Sequence, residues 1–143
     1  MSCFIELSWT GLEVSAKAEL LTEFNPSLSE RFIETLPFES IQSHAVVAGK
    51  QMYFPYRLLD DTAYRWERMD KQPIGRINIE FNFQYLSINY GPMTEPVPAV
   101  PLAQIIEEDI EKLKMVGKEV WNNLLHEEQY LTVNVNLIGG EVK

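Results

Sequence analysis

Hydrophobic and polar residues alternate with a period of two over several short stretches of the chain, which is typical of half-buried β-strands. This alternation covers residues 4–9, 12–18, 77–83, 86–90 and 131–137. The first two stretches flank Thr10-Gly11, a dipeptide that favours a turn, so we expect an opening β-hairpin. The last stretch predicts a closing strand.

Residues 41–56 interleave apolar strand formers with polar side chains more closely than any other stretch. We expect two short strands joined at residues 48–50. On the first, Gln42 and His44 share a face, and on the second Gln51 and Tyr53 share another. If the hairpin pairs in the simplest register, an imidazole, a phenol and two amides face one cavity.

Helical spacing of apolar residues occurs in two other places. A short helix is predicted after Asn25-Pro26, where Asn suits the cap and Pro suits the first helical position. The stronger signal begins at Leu102 and runs to Leu125, which predicts one long helix or two joined near Gly117. Between the strands and this helix, Gly91-Pro92 and the Pro-rich run to Pro101 are expected to be irregular. Residues 58–73 lack a pattern and favour a long surface loop.

Short strands interrupted by two separate helices favour a mainly β fold. We predict a closed antiparallel β-barrel with two covering α-helices, formed by residues 1–143 as a single domain. Closure would also remove exposed strand edges.

Composition narrows the classes of partner. Lys and Arg number 12 against 21 Asp and Glu, giving a net charge of −9, which opposes binding to nucleic acid or to anionic membranes. The sequence contains neither a secretory signal nor an apolar run near the roughly 20 residues that span a bilayer, so we predict a cytoplasmic protein. The single cysteine, Cys3, excludes an internal disulfide, and with only two histidines we predict no metal site.

Several blocks of sequence invite comparison with a known family. Residues 37–53, Gly75-Arg76, and residues 89–95 and 102–106 resemble, in order, the bacterial cyclophilin-like domains that include the cucumopine and mikimopine opine synthases. The resemblance implies an eight-stranded barrel with two helices. It also implies a cofactor-free condensation of an amino acid such as L-histidine with a 2-oxo acid such as 2-oxoglutarate, followed by Pictet–Spengler ring closure. The plant-pathogen opine synthases carry a further helical domain that these 143 residues do not contain. The motifs of prolyl isomerases are absent.

Such chemistry needs an acid and a base with pKa values near neutrality. We predict His44, Glu95 and Tyr53 as catalytic residues, His44 first because imidazole titrates closest to neutral pH. The alternative for His44 is a structural imidazole, for Glu95 a surface acid, and for Tyr53 a core or rim aromatic residue.

A substrate with carboxylates and an amine also needs polar partners. We predict Gln42, Gln51, Arg57 and Tyr90 as substrate-binding residues, Arg57 because guanidinium can bind both oxygens of a carboxylate. A solvated loop charge is the alternative for Arg57, and a packed aromatic residue for Tyr90.

Two classes of function remain open at this point. The first is an opine-synthase-like, cofactor-independent enzyme acting on small molecules. The second is a non-catalytic domain that binds a small molecule or forms a homo-oligomer on the same barrel. The sequence favours the enzyme and leaves its substrate open.

Overall fold

The computed structural model describes residues 2–60, 65–127 and 129–138. These ranges contain ten strands and two α-helices. In chain order they are β1 (Phe4–Trp9), β2 (Val14–Leu20), α1 (Pro26–Glu34), β3 (Phe38–Ile41), β4 (Ser43–His44), β5 (Gly49–Pro55), β6 (Glu67–Arg68), β7 (Arg76–Glu80), β8 (Tyr85–Met93), β9 (Pro98–Ile105), α2 (Ile110–Asn122) and β10 (Thr132–Ile138).

Nine strands form one continuous antiparallel sheet in the order β3-β10-β1-β2-β9-β7-β8-β5-β4, and β6 pairs with β9. The two ends of this path, β3 and β4, are separated by one residue of the chain. Side chains bridge the remaining seam: the Ser40 hydroxyl donates to the Pro55 carbonyl at 2.7 Å, and the Gln42 amide donates to the Tyr53 carbonyl at 3.0 Å. The sheet is therefore a nearly closed antiparallel barrel with two helices, which confirms the predicted fold class, with nine strands in place of the eight that the resemblance implied.

The alternating pattern of the strands has its expected physical origin. In β1, Ile5, Leu7 and Trp9 are buried while the residues between them are only partly buried, and Val133 and Val135 of β10 face the same core. Removing these apolar side chains from water contributes most of the driving force for closing the barrel.

The two helices cover the barrel through apolar faces. In α1, Phe32 packs edge-to-face on Phe38 and Tyr56, with ring centroids 6.2 and 5.4 Å apart. In α2, three buried side chains, Leu113, Val116 and Val120, face the sheet, and the helix contacts β2, β4, β5 and β8. Both helices were expected, and α1 lies close to its predicted position.

The predicted start of the second helix at Leu102 is wrong. Leu102 belongs to β9, and α2 begins at Ile110 after a 3₁₀ turn at Glu107–Asp109. The error has a physical cause: β9 is buried along nearly its whole length, so its sequence is almost continuously apolar. A continuous apolar run satisfies helical spacing as well as strand spacing.

The irregular segment is much shorter than predicted and covers only residues 94–97. β8 continues through Gly91-Pro92 to Met93, and β9 contains both Pro98 and Pro101. The β7–β9 register shifts where Asn78 pairs with Pro101, and such a bulge tolerates a residue without an N–H donor.

The central hairpin is shorter than predicted. Ile41 belongs to β3, where it pairs with Thr132 of β10, so only Ser43 and His44 pair with β5.

The stretch predicted as a long surface loop, residues 58–73, contains some regular structure. Residues 67–71 form β6 and a 3₁₀ turn, and residues 61–64 lie outside the described residues. No helix in the described part of the chain is long and apolar enough to cross a membrane.

Candidate functional site

His44 and Tyr90 form a hydrogen-bonded pair beneath α2. His44 Nε2 lies 2.6 Å from the Tyr90 hydroxyl, and His44 Nδ1 lies 2.6 Å from the Ala45 carbonyl oxygen. A carbonyl oxygen can only accept, so Nδ1 carries the proton of a neutral imidazole. Nε2 is then the acceptor, and the Tyr90 hydroxyl donates to it.

Burial sets the protonation of this pair. His44 is only 4% exposed, and burial lowers the pKa of its imidazole below the usual 6.5, an effect that the bond to Ala45 partly offsets. Burial also raises the pKa of the Tyr90 phenol. At neutral pH the pair therefore consists of a protonated phenol donating to an unprotonated nitrogen, which is the arrangement of a base acting through a hydroxyl.

Aromatic packing and a glycine fix the two rings in place. The indole of Trp121 lies against the imidazole, with ring centroids 4.7 Å apart. One turn earlier in the same helix, α2 approaches the Tyr90 ring at Gly117, where a Cβ atom would lie 2.5 Å from Tyr90 Cε2. Only glycine allows this approach without moving the phenol.

Tyr90 also lines a surface pocket with a volume of about 570 Å³. Its other lining residues come from β5, β8, α2 and the turn before β7: Lys50, Ile74, Gly91, Pro92, Lys114, Lys118 and Trp121. The lining thus includes two aromatic residues and three lysines, and no acidic residue. It suits an anionic ligand beside Tyr90.

The strand register separates the predicted site residues into two groups. His44 lies opposite Met52, which faces the core, whereas Tyr53 lies opposite Ser43. Because neighbouring residues point to opposite faces, Gln51 and Tyr53 lie on the outer face of β5, away from His44. The sequence-based expectation that all four groups face one cavity is therefore wrong.

Gln42 lies at the seam of the barrel. Its Oε1 accepts from the Trp9 indole N–H at 2.8 Å, and its Nε2 donates to the carbonyls of Ser43 and Tyr53, both at 3.0 Å. Gln42 is buried, and these bonds engage both of its N–H donors. The geometry gives this side chain a role in closing the barrel.

Gln51 belongs to a polar network on the outer face of the sheet. Its amide donates to Asn89, Asn89 donates to Gln72, and Gln72 exchanges hydrogen bonds with Asn78. Next to this network, Arg76 binds Glu67 through two hydrogen bonds of 2.9 and 3.0 Å. These groups satisfy one another beneath the segment that contains β6.

Tyr53 packs against Tyr85, with ring centroids 5.1 Å apart and ring planes tilted by 41°. Tyr85 lines a second cavity of about 650 Å³ on this outer face, together with the largely exposed rings of Trp66 and Phe83 and the carboxylates of Asp60 and Glu80. None of the seven predicted site residues lines it.

Glu95 and Arg57 lie apart from the His44–Tyr90 pair. Glu95 is half-buried in the loop between β8 and β9, which is held by hydrogen bonds from Thr94 to the Ala48 carbonyl. Arg57 is exposed just after β5. Neither residue lines the pocket beside Tyr90.

Over the described ranges, no group of three or more His, Cys, Asp and Glu side chains is arranged to hold a metal ion.

Sequence reasoning missed Lys114, Lys118 and Trp121, which line the pocket beside Tyr90. Lys114 and Lys118 are four residues apart on α2 and therefore share a face. The spacing alone predicts that the two lysines share a helix face. Only the position of α2 on the sheet shows that this face borders a pocket.

Comparison with known proteins finds similarity among solved structures. No family model matches the chain, and no curated protein is similar to it. The chain is similar to McbB, whose structure is of a complex with tryptophan: the TM-score is 0.85 and the identity is 32% over 97% of this chain. The chain spans 46% of the length of McbB. Agreement in both fold and sequence relates this barrel to the corresponding part of McbB.

A more distant similarity concerns the fold alone. The solution structure of the hypothetical protein AF2241 from Archaeoglobus fulgidus matches with a TM-score of 0.61 and 13% identity, over 94% of each chain.

Proposed function

We propose that this protein is a cofactor-independent enzyme that condenses an amino acid with a 2-oxo acid and closes a ring by Pictet–Spengler chemistry. The observation that carries the proposal is the Tyr90 hydroxyl, which donates to a His44 nitrogen and belongs to a residue that lines a cationic pocket. The similarity to McbB, a protein solved with tryptophan, supports an amino acid as one substrate. The resemblance to opine synthases supports a 2-oxo acid as the other.

The proposed reaction has two stages. The amine attacks the oxo carbon, and loss of water gives an imine. A nucleophilic carbon of the amino acid's heteroaromatic ring then attacks the imine carbon, the imine nitrogen takes up a proton, and the ring carbon loses one. Histidine and tryptophan both carry such a ring.

We assign the last proton transfer to the Tyr90–His44 pair. The phenol oxygen accepts the ring proton while its own proton passes to His44 Nε2, over the 2.6 Å that separates the two atoms. A neutral imidazole is required for this step, and burial favours that form. Glu95, in the anchored loop after β8, is proposed as the partner of the substrate ammonium or as a second base.

The test is turnover with paired variants. The protein is incubated with 2-oxoglutarate and either L-histidine or L-tryptophan, and loss of ring proton signals is followed by NMR. We expect Tyr90→Phe, which keeps the packed ring, to lower kcat/KM by roughly a hundredfold or more. Tyr85→Phe is the matched control, since it removes a phenol from the same strand but in the other cavity. Glu95→Gln tests the proposed second base.

The other function has an observation in its favour: both ring nitrogens of the buried His44 are already bonded within the protein. A non-catalytic small-molecule binding domain would show ligand-induced stabilisation without turnover of any amino acid tested. Equal turnover by the wild type and Tyr90→Phe would refute the assigned role of the pair.

A further inference from the structure

The pocket beside Tyr90 gathers positive charge on a protein whose net charge is −9. Lys114 and Lys118 both line it and are four residues apart on α2. Like charges at this spacing repel one another on a helix surface. Lys50 adds a third lysine from β5, and no acidic residue lines the pocket. A cluster of this kind favours the binding of an anion.

Neighbouring acids do little to neutralise the cluster. Lys114 lies 3.3 Å from Glu111, whose side chain is 86% exposed, and such surface pairs are weak. Among the described residues, neither Lys50 nor Lys118 has a carboxylate within 4.0 Å.

The backbone of β8 accommodates Lys50 at a specific point. A Cβ atom on Gly91 would lie 2.6 Å from Lys50 Cδ, so the absence of a side chain at position 91 lets the Lys50 stem lie against the strand. The Lys50 stem is therefore seated on β8, and Lys50 lines the same pocket as Tyr90 and the two helix lysines.

We propose that Lys50, Lys114 and Lys118 form a binding site for a small dicarboxylate, with the two helix lysines binding one carboxylate and Lys50 binding the other. The inference rests on the proposed function, in which the dicarboxylate is the 2-oxo acid substrate. Two sources of positive charge, one on a helix and one on a strand, favour a ligand with two separated anionic groups over a monocarboxylate. The assignment replaces Arg57, which is exposed outside this pocket.

Direct binding tests this site without requiring turnover. Calorimetric titration of the full chain uses 2-oxoglutarate, glutarate, 2-oxobutyrate and inorganic phosphate as probes, with and without saturating amino acid. We expect 2-oxoglutarate and glutarate to bind about tenfold or more tightly than 2-oxobutyrate or phosphate. The double variant Lys114→Gln/Lys118→Gln and the single variant Lys50→Gln should each weaken dicarboxylate binding about tenfold or more, and added salt should weaken binding to the wild type.

Lys112→Gln is the matched control, because Lys112 is on the same helix but outside the pocket, 3.5 Å from Asp109. Its affinity should match that of the wild type, and unchanged melting temperatures should show that all variants fold. Dicarboxylate affinity that survives loss of the three lysines overturns the inference, as does no binding at all or equal affinity for phosphate.

The two proposals fail in different ways. Lysine-dependent dicarboxylate binding without turnover would leave this site standing and remove the proposed function. Turnover with an unchanged KM for the oxo acid in the lysine variants would remove the proposed lysine site and leave the proposed function standing.

Discussion

Replacing Gln42 with leucine tests whether the seam of the barrel depends on one amide. The side chain makes three buried or part-buried hydrogen bonds, to Trp9, Ser43 and Tyr53, at distances of 2.8 to 3.0 Å. Leucine has nearly the same volume, so the change removes hydrogen bonds and opens almost no cavity. The indole N–H of the fully buried Trp9 is left without its acceptor.

The expected loss follows from these contacts. A typical intramolecular hydrogen bond contributes about 1 kcal/mol net, so three bonds give about 3 kcal/mol. The unpaired indole N–H of Trp9 supports a loss of this size in the free energy of unfolding, because a buried unsatisfied donor alone costs about 1–3 kcal/mol. For a chain of this length, 3 kcal/mol corresponds to a fall in Tm of roughly 10 °C.

Urea unfolding followed by tryptophan fluorescence measures the change. We expect Gln42→Leu to lower the unfolding midpoint with an unchanged slope. Gln129→Leu is the control: this exposed glutamine makes no side-chain hydrogen bond among the described residues, and its replacement should change the free energy of unfolding by less than about 0.5 kcal/mol. A loss below about 1 kcal/mol for Gln42→Leu would refute the role of the amide in closing the barrel.

Two further predictions concern the His44–Tyr90 pair. Alanine normally stabilises a helix interior by about 1 kcal/mol relative to glycine, but Gly117→Ala would place Cβ 2.5 Å from Tyr90 Cε2, so we expect a net loss of about 1–3 kcal/mol. Thermal melting decides the sign, and a higher Tm would contradict the close packing. Burial lowers the pKa of His44 below 6.5, so the unfolded chain takes up the proton first as pH falls. The stability contributed by neutral His44 is present above about pH 6.5 and is lost as the pH falls through its pKa in the folded state. Urea unfolding across this range should show a loss of stability that His44→Gln lacks, and parallel curves would contradict it.

Local pattern was enough to predict most of the barrel. β1, β2 and β10 each have one buried and one more exposed face, so their side-chain alternation survives in the sequence. The same rule failed for β9, whose neighbours bury it along nearly its whole length and so remove the polar half of the pattern. The strand can be recognised only when its partners β2 and β7 are known.

The site was harder to predict because its parts are distant in the chain. His44 and Tyr90 are 46 residues apart, and their contact depends on two strands that are each bound to β5. Both residues were candidates by chemistry alone. Lys114 and Lys118 were assigned to a helix but not to a site, since an amphipathic pattern fixes the face of a helix and not the strand that it covers.

Strand parity decides which of the candidate residues can act together. Leu86, Ile88 and Tyr90 alternate on the core side of β8. Met52 of β5 pairs with Ile88 on β8 and with His44 on β4. Shifting any of these pairings by one residue would move His44 or Tyr90 to the opposite face of the sheet. The register that buries the apolar residues thus also brings the imidazole and the phenol together. The same constraint places Gln51 and Tyr53 on the other face, so the phenol that contacts His44 is that of Tyr90 and not that of Tyr53.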